Sequence, residues 1–282
     1  MKNKIVVCID IGGSHIAAAS LEKQSQVFTL LKEAKGDVDS AASRETILAQ
    51  WDIIIQSIWS PQTQEIEKMV ISIPGPFDYK NGICLMDGMH KYQALLHMDI
   101  KSYFIEKYSV SSLNIKFLND AEAFLLGEIY YHNLQNKRIV GLSLGTGLGS
   151  ALYNKEIVGD LNYGSTQFRD GIAEDYISTR GILEYLRQQG IEGVAHVKAL
   201  VDTETLVDER GAAFSFLALA LVDFITLHIL PLQPEGLVLG GSISKAHSRF
   251  LPVVQADIDI PIYIASFKEW NLFFGLATSF SL

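Results

Sequence analysis

The chain has 282 residues, 48% of them hydrophobic and 20% charged, which suits a large buried core in one or two domains and argues against disorder. Its 23 basic against 32 acidic side chains leave a net charge of −9, and no run of Lys or Arg stands out, so a nucleic-acid partner is not expected. Cys8 and Cys84 form no CxxC pair, so neither a disulfide framework nor a cysteine-rich zinc site is indicated.

An apolar strand begins four residues into the chain, leaving no room for a signal peptide, and the cytoplasm is the expected location. This run, VVCIDIGGSHIAAASL (Val6 to Leu21), carries Cys8 as a small buried hydrophobe. It meets Asp10, then Gly12, Gly13 and Ser14, and returns as a second apolar run. Ser43 to Pro61 has apolar positions at helical spacing and stops at a proline. Ile66 to Asp78 reads as a strand entering a Pro-Gly-Pro turn centred on Gly75, where the chain must leave its sheet. Leu113 to His132 reads as a strand, a turn at Asn119-Asp120, and a helix.

Ile139 to Tyr153 repeats the opening pattern. With Asp10 aligned on Ser143, Gly12 falls on Gly145 and Ser14 on Gly147; a hairpin used twice suggests two similar lobes. A polar segment from Gly159 to Gly171 and a helix near Asp175 to Gln189 follow. Ala212 to Leu232 is long enough for a membrane span, but it carries Asp223 and His228 and ends near Pro231. It reads as a core helix, so no membrane is expected. Gly236 to Ser244 reads as a short buried strand and another glycine turn. Strands and helices in this order indicate α/β lobes.

Three glycine turns stand out: Gly12-Gly13, Gly145-Thr146-Gly147 and Gly240-Gly241-Ser242. Any one alone is consistent with a tight hairpin that needs positive φ. Three, at matching places in a repeat, suggest backbone N–H groups offered to phosphate. There is no GxxxxGK[ST], and GTGLGS leads into a strand-like run instead of a helix, which sets aside a P-loop and a dinucleotide fingerprint. Asp10 beside the first turn then reads as a carboxylate for Mg²⁺ arriving with a nucleoside triphosphate, held through water.

The motifs DIGGSH, ISIPGPFD, NDAEAFLLGE, LGTGLGSALY and GLVLGGSIS resemble, in order, those of the ROK sugar kinases within the actin/hexokinase/Hsp70-like ATPase superfamily. The resemblance implies a two-lobed, ribonuclease H-like α/β fold of duplicated βββαβα lobes with a cleft between them. It places the N-terminal lobe at 1–118, completed by 268–282, and the C-terminal lobe at 119–267. ATP would bind Gly12, Gly13, Ser14, Gly145, Thr146, Gly147, Gly240, Gly241 and Ser242, with Mg²⁺ on Asp10. Asp120 would be the general base toward a sugar hydroxyl, a role that the carboxylate's own position at a helix start, as a cap, would also fix. Gly75, Asn119, Asp160, Tyr163 and Glu174 would line the sugar.

The sequence departs from the family on the sugar side. The family's zinc cysteines are missing from Gly159 to Glu174, so no structural zinc is expected; Asp160 stands for the usual Glu and Tyr163 for His. In Gly88 to Gln93 a Gly replaces the sugar-binding Asn; Lys91 reads as a loop charge or a ligand for an acidic sugar, and Tyr92 as a packing aromatic. His15 replaces Lys and reads as a turn residue. The expected activity is ATP-dependent phosphorylation of a hexose or amino-sugar hydroxyl, and the resemblance suggests a homodimer. A non-catalytic sugar or nucleotide sensor is the alternative, although this chain starts at its first strand without a DNA-binding helix-turn-helix. A dinucleotide oxidoreductase is the third reading.

Overall fold

The structure, a computed structural model, describes residues 2–25, 27–89, 91–155, 157–194, 196–202 and 206–281. His90, within the Gly88 to Gln93 segment, lies outside them. The chain divides into two units, Met1–Gly127 with Glu269–Ser281, and Glu128–Lys268.

The first unit opens with β1 (Asn3–Ile11), β2 (His15–Gln24) and β3 (Val27–Asp37), an antiparallel meander. Helix α1 (Arg44–Ser57) follows. Ser43 is its N-cap, with its hydroxyl accepting from Thr46 N at 3.3 Å, so the hydroxyl satisfies a first-turn N–H that has no partner within the helix. Strand β4 (Gln64–Ser72) then pairs parallel with β1. A separate small hairpin of β5 (Phe77–Asp78) and β6 (Ile83–Cys84) and α2 (Ile100–Tyr108) follow, and β7 (Ile115–Leu118) pairs with β4 to complete the sheet, whose order is β3-β2-β1-β4-β7. The turn after β4 contains a cis peptide at Gly75-Pro76.

Helix α3 (Asp120–Tyr131) leads into the second unit. There β8 (Arg138–Leu144), β9 (Leu148–Asn154) and β10 (Ile157–Asp160) form a second meander. A two-stranded ribbon of β11 (Gln167–Phe168) and β12 (Gly171–Ile172) precedes α4 (Thr179–Gln188), α5 (Val197–Asp202) and α6 (Val207–Phe224). Strand β13 (Gly236–Gly240), α7 (Leu251–Asp257) and β14 (Ile262–Ile264) close the sheet in the order β10-β9-β8-β13-β14. Helix α8 (Glu269–Thr278) returns to the first unit and packs on β1 and β4.

The two sheets therefore have one plan: an antiparallel meander whose first strand is central, followed by two parallel strands. The repeat read between Ile5–Ala19 and Ile139–Tyr153 is the β1/β2 and β8/β9 hairpin. Asp10 pairs with Ser72 across β1/β4, and the aligned Ser143 pairs with Gly240 across β8/β13.

Each unit has its own core. In the first, Ile5, Val7 and Ile9 of β1 meet Ile47, Trp51 and Ile55 of α1 and the rings of Phe104 and Phe117. Side chains of this size contribute about 1.5–3 kcal/mol each when fully buried. Buried Asp52 accepts from Tyr103 Oη at 2.7 Å and Tyr108 Oη at 2.5 Å, with Lys107 Nζ at 2.9 Å. Burial first, and the Asp52 carboxylate second, push both phenols above their ordinary range. Cys8 and Cys84 are buried free thiols, and burial pushes both upward.

In the second unit Val140, Leu142, Leu237 and Leu239 meet Phe214, Leu217, Leu221 and Phe224 of α6. The stretch Val207–Leu232 is long and apolar enough to cross a membrane by length and composition. These packed side chains make α6 a core helix of an α/β layer, as its polar interruptions suggest. Asp223 on it is paired with Arg169. The helix expected near Asp175 begins later, at Thr179, because Ala173–Asp175 form a separate 3₁₀ turn and Ser178 caps α4 by accepting from Gly181 N.

Candidate active site

The glycine turns follow the central strand of each sheet. In the first unit, Gly12 N donates to His15 O at 2.9 Å and Val38 N to Ser14 O at 2.9 Å. Buried Tyr92 donates from its hydroxyl to Gly12 O at 2.5 Å. A trans peptide points its C=O and the following N–H in opposite directions, so the Gly13 N–H points away from Tyr92. Among the described residues nothing accepts from it.

The second turn repeats this device. Gly145 N donates to Gly147 O at 3.0 Å, and Thr179 N donates to Gly145 O at 2.8 Å. The Thr146 N–H is thereby turned away from α4, and among the described residues it too has no acceptor. Gly12 and Gly145, the two aligned glycines, each have a carbonyl tied back to the protein and an outward N–H after it. The third turn packs against the second: Gly241 has φ +81°, and a Cβ there would lie 2.3 Å from Leu144 O. Only glycine fits both the left-handed backbone and this approach. Ser244 Oγ donates to Gly240 O at 2.6 Å and steadies the turn.

Asp10, at the end of β1, faces a cavity of about 610 Å³ also lined by His15, Lys35, Glu269 and Phe273. Burial pushes its carboxyl above the ordinary aspartate value, and the charges of Asp120 and Glu269 push it further. Ser72 and His15 oppose the shift. The buried Ser72 Oγ, on the strand position paired with Asp10, makes no well-formed hydrogen bond. Lys35 Nζ pairs with Glu269 at 3.3 Å. Magnesium takes one or two carboxylates and keeps several waters. A carboxylate crowded by two others, beside an orphaned hydroxyl, fits an ion held through water. Among the described residues no group of three or more His, Cys, Asp or Glu is placed to grip a metal directly.

Asn119 and Asp120 stand where β7 ends and α3 begins. The cap of α3 is carried by Asn119, whose Oδ1 accepts from Ala121 N at 2.8 Å, and by Glu122, whose carboxylate accepts from Asn119 N at 2.8 Å. This pair is a capping box in which the Asn119 oxygen takes the second helical N–H in place of the third. Asp120 is the first helical residue, exposed, with its Oδ1 2.9 Å from Ala121 N. The expectation that Asp120 caps the helix is thus met by its neighbour. Asn119 Nδ2 donates to Tyr79 Oη at 2.9 Å, and Tyr79 Oη donates to Ile73 O at 3.2 Å. A Cβ on Gly75 would lie 3.3 Å from Tyr79 Oη and 3.9 Å from Asn119 Nδ2. The first unit therefore gathers Gly75, Asn119 and Tyr79, and it places Asp120 close enough to Asp10 to shift it.

In the second unit Glu174 lies against the glycine turn. Its Oε1 accepts from Leu148 N at 3.3 Å, and Cβ atoms on Gly147 and Gly164 would lie 2.8 and 2.5 Å from it. Arg180 sits 3.6 Å from Glu174 and 3.0 Å from Asp175. Tyr163 N donates to Ser150 Oγ at 2.9 Å. The Tyr163 ring packs on Phe224 and His228 at 6.2 and 5.8 Å. Asp160 ends β10 and accepts from Asn162 N at 2.8 Å. Tyr79 and Arg180 are site-building residues that no motif marked, whereas Glu122 lies within NDAEAFLLGE and Tyr92 within Gly88 to Gln93; the capping role of Glu122 and the bond of Tyr92 to Gly12 go beyond the roles expected there.

Two five-stranded sheets of one strand order, each with a glycine turn after its central strand, define the duplicated α/β fold of the actin-like ATPases. The chain belongs to the ROK family, whose family model matches residues 6–160. Among curated proteins none matches it. Solved structures share the fold at low identity. A glucokinase from Parabacteroides distasonis is 18% identical with TM-score 0.70, covering 91% of this chain and 78% of that one. A ROK glucokinase from Streptomyces griseus, in complex with glucose and AMPPNP, is 18% identical with TM-score 0.67, covering 97% and 98%. A ROK transcriptional regulator, homologous to the E. coli MLC protein, is 18% identical with TM-score 0.74, covering 98% and 77%.

Proposed function

We propose that this chain is an ATP-dependent sugar kinase that phosphorylates a hydroxyl of a hexose or amino sugar. The observation that carries the reading is the repeated device at Gly12 and Gly145: a carbonyl tied back, an outward N–H following it, at the end of a central strand. Such N–H groups suit phosphate oxygens. The turns at Gly12–Ser14, Gly145–Gly147 and Gly240–Ser242 would hold the nucleotide. Asp10 would hold Mg²⁺ through water, and the ion would neutralise phosphate charge.

Asp120 would take the proton of the attacking hydroxyl while that oxygen bonds to the γ-phosphorus and the bond to ADP breaks. The capping box on Asn119 and Glu122 fixes the helix start on which Asp120 stands. Asn119, Gly75, Glu174, Asp160 and Tyr163 would contact the sugar, whose hydroxyls suit a site of polar donors and acceptors.

The test is ADP release across neutral, N-acetylated and acidic sugars, for the wild type and Asp120→Asn. One sugar should give turnover, and the variant should lose about 10²–10⁴-fold. Undiminished turnover in a folded variant removes Asp120 from the role. The altered sugar side, together with the regulator of the same fold, keeps a sensor as the competing reading; it predicts sugar or nucleotide binding by calorimetry with no turnover.

A further inference from the structure

Resting on that kinase reading, we propose that Lys91 is a phosphoryl contact of the first glycine turn, its ammonium meeting the terminal phosphate of the bound triphosphate. The Lys91 Cδ lies 4.0 Å from the position a Cβ would take on Gly13. The ammonium is two bonds further on, a reach of about 2.5 Å, so an anion held on the Gly13 N–H lies within its range. Residue 91 is not a loose loop position. Its neighbour Tyr92 is fully buried, bonded through its hydroxyl to Gly12 O and through its N–H to Ser40 O at 2.7 Å, with its ring 5.7 Å from Trp51. The group that orients the turn thus also anchors the lysine beside it.

Charge gives this lysine a task. Asp120 and Glu269 both act on Asp10 at the end of β1, and Lys35 is paired with Glu269. The ring of His15 lies over Gly12, 2.3 Å from where a Cβ would be. Among the described residues Lys91 has no ion-pair partner. A triphosphate approaching Asp10 and Asp120 meets repulsion that an ammonium without an ion-pair partner offsets. Lys91 stands at the first glycine turn, just beyond the strand that carries Asp10, and its contact is assigned to the terminal phosphate, the phosphoryl group that transfers.

Equilibrium binding of AMPPNP and of ADP, each with Mg²⁺, to the wild type, Lys91→Met and Lys91→Arg tests this without turnover. Lys91→Met should weaken AMPPNP about ten- to a hundred-fold, the worth of one charge-assisted contact, and leave ADP within about twofold. Lys91→Arg should recover most of the loss. Equal weakening of both nucleotides, or of neither, overturns the proposal and leaves the kinase reading standing. So does a loss confined to binding of an acidic sugar. A wild type that binds neither nucleotide overturns the kinase reading and the proposal together.

Discussion

Replacing Asn119 by alanine removes two interactions at once: the cap to Ala121 N and the bond from Nδ2 to Tyr79 Oη. The lost cap costs about 1 kcal/mol, and the lost side-chain bond about 1 kcal/mol more. A total of about 2 kcal/mol corresponds to a fall of about 4–8 °C in the midpoint of the first unit. All three tryptophans, Trp51, Trp59 and Trp270, lie in that unit, so intrinsic fluorescence during urea or thermal unfolding reports on it selectively. Asn119→Asp keeps a capping oxygen but loses the Nδ2 donor to Tyr79 Oη, and should lose about half as much. Asp120→Asn keeps an acceptor for Ala121 N and leaves the capping box alone, so it should stay within about 0.5 kcal/mol of the wild type. The two residues would then separate, Asn119 reading in stability and Asp120 in turnover. Asp120→Asn as destabilised as Asn119→Ala would refute the reasoning, because the cap would then belong to Asp120.

Gly241→Ala should destabilise the protein by about 3 kcal/mol, from the forced left-handed backbone and the clash with Leu144 O; circular dichroism melting checks this, and a loss under about 1 kcal/mol contradicts it. Asp10 binds its proton more readily in the folded ligand-free protein than in the unfolded chain, since its carboxyl is pushed upward by burial and by Asp120 and Glu269. Stability of the ligand-free protein should therefore fall as pH rises from the ordinary aspartate value of 3.8 through the raised one. Asp10→Asn should remove that fall and be the more stable protein at neutral pH, and a variant less stable there would contradict the burial argument. Asp52→Ala removes the acceptor of the Tyr103 and Tyr108 hydroxyls, the second of them buried, and should cost about 3 kcal/mol in the fluorescence transition, with nucleotide binding by the folded protein unchanged.

Local signals account for what the sequence made legible. The β1 and β8 hairpins, α1, α3, α6 and β13 announce themselves by apolar runs bounded by glycine, proline or a capping residue. Strand β3 does not: VFTLLKEAKGD is an edge strand in which Phe28 is the one buried side chain, so its polar face hides its period. The start of α4 was displaced because Ala173–Asp175 make their own turn before Ser178 caps the helix. The motif NDA draws attention to Asp120, yet the spacing Asn119-x-x-Glu122 ahead of an apolar run is itself the signal for the cap that these two residues make. Tyr92 reaches Gly12 across 80 residues, and Lys91 reaches Gly13 with it; no periodicity or short motif encodes such a contact. Around Gly159–Glu174 the loop is packed by Tyr163, Phe168, Phe224 and His228 and pinned by Arg169 on Asp223, a set drawn from residues up to 65 positions apart, as the numbering of Tyr163 and His228 shows.

Crystallising the protein with AMPPNP and Mg²⁺ tests the central claim most directly. The account predicts phosphate oxygens on the N–H groups of Gly13 and Thr146, with the ion's water shell on Asp10. A nucleotide seated away from both turns, or contacting neither N–H, would contradict it.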